Sequence, residues 1–139
     1  MGRLMAIDYG LKRVGIAVTD PLQIIASPLE TVLSKDIFTF LKKYTATEQV
    51  DKLVIGKAID LMGRDTDSTV PVQKFVEELE KQFPGLAYEW HDERYTSKMA
   101  MQAMIAGGMS KANRRIKGNV DKVSAAIILQ SYMESKSNL

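Results

Sequence analysis

The 139-residue chain has no cysteine, one histidine, one tryptophan and four prolines. Without thiols there is no disulfide scaffold and no thiolate-bound metal. With His91 as the lone histidine, a histidine-rich zinc site is excluded, and a Ser-His-Asp triad finds no supporting motif. A glycine-rich Walker loop is also missing. No apolar run approaches the ~20 residues a membrane span needs. The opening Met1-Gly2-Arg3-Leu4 leads straight into a strand pattern without the hydrophobic core of a signal peptide. These absences lead us to expect a cytoplasmic protein with no membrane contact.

What remains is an ordinary globular composition, 45% hydrophobic and 26% charged, at a length that suits one domain over residues 1–139. Net charge is only +2, so its distribution says more than its sum. Lys111, Arg114, Arg115 and Lys117 crowd into one stretch followed by Lys122. Such a block is either a solvated loop or a set of phosphate contacts.

Periodicity predicts strands over residues 4–9 and 14–19, joined by the turn Gly10-Leu11-Lys12-Arg13. A third strand over 24–33 is interrupted by Pro28, which points to an edge or a bulge. A helix follows from Ser34 or Asp36 to about Tyr44, then a short strand over 52–56 and a polar loop over 57–69. Val72, Phe75, Val76, Leu79 and Phe83 form one helical face that ends at Pro84-Gly85. Leu86 to Trp90 reads as a strand, Thr96 or Ser97 starts a helix to Gly107-Gly108, and Asn119 caps a last helix to about Glu134. The order β-β-β-α-β-α-β-α-α implies a mixed sheet with helices on both faces.

The acids fall at informative places. Asp8 ends the apolar run Leu4-Met5-Ala6-Ile7 and precedes Gly10, so it sits where open α/β sheets bind ligands. Gly10 would let backbone come near a metal or phosphate. The plain alternative is a turn aspartate that bonds its own backbone. Asp92 and Glu93 follow the last strand, where Glu93 could equally pair with Arg94. Asp121 lies in the first turn of the last helix, a place an acid occupies for the helix dipole alone. The small residues Ser124, Ala125 and Ala126 would let that helix lie close on the sheet and carry Asp121 over the strand ends. Carboxylates held together repel unless a cation neutralises them, and Mg²⁺ or Mn²⁺ is the natural oxygen-liganded choice. His91 reads as a strand-end residue with a satisfied ring.

Three stretches resemble the hallmarks of the YqgF family, also called RuvX or Holliday-junction-resolvase-like. They are Asp8-x-Gly10 through Gly15-Ile16-Ala17, Asp92-Glu93-Arg94-Tyr95-Thr96-Ser97, and Lys117-Gly118-Asn119-Val120-Asp121 through Ser124-Ala125-Ala126. One departure is that the Gly-Leu-Pro the family carries after the fourth strand reads Gly56-Lys57-Ala58. The resemblance implies a ribonuclease H-like α/β fold: a five-stranded mixed sheet with β2 antiparallel, flanked by helices on both faces. It also implies a divalent-metal-dependent nuclease. Asp8, Glu93 and Asp121 would then be both catalytic residues and ligands of two Mg²⁺ or Mn²⁺ ions. Lys12, Arg13, Arg94, Lys111, Arg114, Arg115 and Lys117 would contact nucleic acid, and Gly10 and Gly15 would give its phosphate room.

The substrate implied is precursor 16S ribosomal RNA, processed at its 5′ end, with four-way junction DNA as the alternative. Junction cutting favours a homodimer, whereas a single cut is open to a monomer. Two further readings are a non-catalytic nucleic-acid-binding module and an actin-like nucleotide-binding protein. The second lacks that group's usual two-domain size.

Overall fold

The computed structural model describes residues 2–57, 69–92 and 117–137. In chain order these form β1 (Arg3–Tyr9), β2 (Arg13–Thr19), β3 (Ala26–Leu33), a 3-10 turn (Ser34–Asp36) and α1 (Ile37–Thr47). After them come β4 (Val50–Lys57), α2 (Thr69–Gln82), β5 (Ala87–Asp92) and α3 (Lys117–Ser137). The strands make one five-stranded sheet in the order β3-β2-β1-β4-β5. β2 runs antiparallel to both neighbours, while β1, β4 and β5 are parallel. The helix expected over 96–107 and most of the basic stretch lie outside the described residues.

β1 is central, and Leu4 to Ile7 are all buried. Strand side chains alternate between faces, so the run divides in two. Met5 and Ile7 join a core with Ile37 and Leu41 of α1 and Val72, Phe75, Val76 and Leu79 of α2. Phe75 also stacks on Tyr9, with ring centroids 4.7 Å apart. Leu4 and Ala6 face the other way, into a core with Ala17, Val54 and, from α3, Ala125, Ile128, Leu129 and Tyr132. Each fully buried Leu or Ile in these cores adds roughly 1.5–3 kcal/mol.

Several boundaries differ from expectation. β3 starts at Ala26 rather than residue 24, because the Asp20 carboxylate takes the Ile24 and Ile25 amides, each at 2.8 Å. Pro28 does lie on an edge strand, and the register slips beside it so that Leu29 is the extra residue of a bulge. α3 begins at Lys117, ahead of Asn119, so Asn119 is inside the helix and not its cap. Gly118 and Asn119 are poor helix formers, and the helix includes them against that weak preference. β4 and β5 are each two residues longer than expected at one end, reaching back to Val50 and on to Asp92.

Candidate functional site

β1, β4 and β5 run in parallel and finish at Tyr9, Lys57 and Asp92, so their carboxyl ends share one edge of the molecule. Asp8 lies one residue from the end of β1. It shares the face of Leu4 and Ala6, which is the face α3 covers. Its partner across the β1–β2 ladder is Gly15, and paired Cα atoms in such a ladder lie about 4.5–5.5 Å apart.

At Gly15 the backbone of α3 lies directly against the sheet. A Cβ built there would lie 2.0 Å from the Asp121 carbonyl oxygen. No side chain fits, so the first turns of α3 rest directly on β2 beside Asp8. Ser124 and Ala125, one turn further along, are also buried against the sheet. The structure thus brings together Asp8 and Asp121, which are far apart in sequence, around a residue with no side chain.

The Asp121 carboxylate is held in place. Arg13 Nε donates to Asp121 Oδ2 at 3.1 Å, across the next position of β2 on the same face. Both side chains are partly screened, at 31% and 21% exposure. Arg13, expected to touch nucleic acid, is therefore engaged with one of the expected metal ligands. No sequence signal links residues 108 positions apart, so this pairing was not legible.

The hairpin tip is also tied down. Gly10 N–H donates to the Arg13 carbonyl at 3.0 Å, and a Cβ on Gly10 would lie 2.6 Å from that same oxygen. Ser34 donates through its amide to the Lys12 carbonyl at 3.0 Å and through its hydroxyl to the Gly10 carbonyl. The absence of a side chain at Gly10 and Gly15 thus serves tight backbone packing. Lys12 is exposed at this tip, at the same end of the sheet as Asp8.

Glu93, Arg94, Lys111, Arg114 and Arg115 lie outside the described residues, and of Lys117 only its place at the start of α3 is described. Among the described residues no three acidic or histidine side chains converge as a metal cluster. Asp8 and Asp121 supply hard oxygen donors from two elements. That suits Mg²⁺ or Mn²⁺, which protein carboxylates commonly hold in ones and twos beside substrate phosphate.

His91 lies away from these acids. Its Nε2 is 2.9 Å from Ser131 Oγ and its ring meets Tyr132 edge-on, so it is satisfied as expected. A polar network at the other end of α3 escaped the sequence reading. Glu89 accepts from the Tyr132 hydroxyl and from Lys136 and Lys52, the lysines at 3.0 and 3.3 Å. Its only sequence signal is the alternation of Ala87, Glu89 and His91 with Tyr88 and Trp90 along β5.

The model of the RuvX family, described as Holliday junction resolvase, matches residues 2–135. This chain belongs to the RuvX family. Among its relatives, a "Putative pre-16S rRNA nuclease" of Amoebophilus asiaticus is 53% identical over 97% of this chain and 96% of its own length. Another of that description, from Flavobacterium psychrophilum, is 47% identical over 98% of this chain and 99% of its own. In fold, this RuvX member is similar to Thermus thermophilus RuvC solved in complex with a Holliday junction substrate. The TM-score is 0.58 at 12% identity, over 97% of this chain and 96% of the other. A second T. thermophilus RuvC structure gives 0.53, also at 12% identity. The expected ribonuclease H-like sheet, with β2 antiparallel and helices on both faces, is the architecture found.

Proposed function

We propose that this chain is a divalent-metal-dependent nuclease that hydrolyses phosphodiester bonds in structured RNA, with the 5′ end of precursor 16S ribosomal RNA as its substrate. The observation that carries this reading is the meeting of Asp8 and Asp121 at Gly15, at the carboxyl edge of the parallel strands. The descriptions of its close relatives supply the substrate.

In this reading Asp8, Asp121 and Glu93 hold the metal and act as one catalytic set. When bound, Mg²⁺ or Mn²⁺ supplies positive charge for the phosphate in flight and acidifies water. The protein's part is to fix the carboxylates before substrate arrives. Gly15 sets how near Asp121 comes to Asp8, and the tied hairpin tip holds Asp8 still. Lys12, Arg94, Lys111, Arg114, Arg115 and Lys117 would contact flanking phosphates, each adding about 0.7–0.9 to the salt slope of binding. The whole chain acts as one domain, and an rRNA substrate places it in the cytoplasm. No described helix is long and apolar enough to cross a membrane.

The family description favours one second reading, cleavage of a four-way DNA junction. Two symmetric cuts would then call for a homodimer. Purified protein and its Asp8→Asn variant are incubated side by side with precursor rRNA and with a junction, in Mg²⁺. The first reading expects cuts in the RNA by wild type alone. Cuts confined to the junction reverse the choice of substrate, and no metal-dependent cut in either rejects both.

A further inference from the structure

We propose that Arg13 is a stand-in cation: it holds Asp121 while the metal site is empty and passes to a substrate phosphate once the metal binds. The inference rests on the reading of Asp121 as a metal ligand and adds a role for the residue bonded to it.

Three observations carry it. First, Arg13 Nε donates to Asp121 Oδ2 at 3.1 Å, so one face of this carboxylate is taken by a positive charge. A divalent ion seeking the same oxygens meets a like charge within a few ångströms, and the ion's double charge makes it the stronger competitor. Second, the Arg13 side chain is 31% exposed. A partly solvated ion pair is weak enough to exchange, whereas a fully buried one would leave an unpaired charge behind. Third, Arg13 lies at the hairpin end of β2, two residues from Gly15 and next to exposed Lys12, on the side of the sheet where Asp8 stands. Released there, its planar guanidinium suits a phosphate, which it can grip with two parallel hydrogen bonds.

The exchange links two events that would otherwise be independent. An empty site keeps Asp121 neutralised and keeps Arg13 away from nucleic acid. A loaded site does the reverse, so a phosphate contact appears only when the metal is present to use it. Asp121 remains oriented throughout because the backbone of α3 at that residue is pinned on Gly15.

The test is calorimetric titration with Mn²⁺ alone, no nucleic acid present, on wild type, Arg13→Gln and Asp8→Asn. Arg13→Gln removes the competing charge, so it is expected to bind Mn²⁺ about three- to fivefold more tightly than wild type, the scale of a partly exposed ion pair. Equal or weaker binding overturns the proposal and makes Arg13 a fixed support of Asp121. Asp8→Asn should lose the binding. If wild type itself takes up no Mn²⁺, the metal reading fails and this inference with it. If Arg13→Gln does not fold, wild type alone decides by NMR. At saturating Mg²⁺ the Arg13 Nε–H resonance should shift and lose its protection from exchange. A resonance unchanged by Mg²⁺ overturns the exchange.

Discussion

Gly15 and Asp121 meet backbone to backbone: a Cβ on Gly15 would come within 2.0 Å of the Asp121 carbonyl oxygen and 2.4 Å of its carbon. The contact closes the α3 face of the sheet and, at the same time, sets the distance between the acids of β1 and α3.

Gly15→Ala should therefore damage both stability and site. Neither backbone can yield without shifting a strand or a helix, and overpacking of this kind costs about 1–3 kcal/mol. Urea denaturation should show the unfolding free energy falling by that amount, with Mn²⁺ affinity falling too. An alanine variant as stable as wild type would mean that α3 does not rest on β2 at this point.

Ser124 makes the opposite prediction. Its hydroxyl is buried, with no hydrogen-bond partner among the described residues. An unsatisfied buried hydroxyl costs about 1–3 kcal/mol. Ser124→Ala should leave stability unchanged or raise it by up to about 1 kcal/mol, part of that cost being recovered. A clear loss in the urea midpoint would show that the hydroxyl has a partner.

Acid should loosen the far end of α3. The Tyr132 hydroxyl, then Lys136 and Lys52, hold the Glu89 carboxyl down to about 2, from an ordinary 4.5. A carboxyl whose folded value is depressed stabilises the fold above its unfolded value and loses that contribution as pH falls. The window is thus pH 4.5 down to about 2. Glu89 is more than a third exposed, so salt should weaken the effect. Calorimetric melts across that window should fall more steeply for wild type than for Glu89→Gln, and the gap should narrow in high salt. Parallel curves would show that the Glu89 contacts add nothing.

Much of this was legible in the sequence. The strand-end position of Asp8 follows from Leu4-Met5-Ala6-Ile7, a run with the unbroken apolarity of a strand covered on both faces. The small residues after Asp121 announced a helix lying close on the sheet. What remained hidden has a common cause: it depends on where distant segments meet. Gly15 read as room for a phosphate, because nothing in a linear chain shows that α3 would occupy that space. Arg13 read as a free cation, because its partner lies on the last helix. Asn119 read as a cap, because Gly118 before it is a poor helix former, yet α3 runs back through both to Lys117.

The proposed nuclease function requires Asp8 to belong to a metal-holding carboxylate set that cuts RNA. Its most direct test is the rate at which wild type and Asp8→Asn cleave precursor 16S ribosomal RNA in Mg²⁺, with RNA binding measured alongside. Losing a ligand should remove several kcal/mol of transition-state stabilisation, slowing cleavage by roughly a thousandfold while binding survives. An Asp8→Asn protein that cuts as fast as wild type would show that Asp8 holds no catalytic metal.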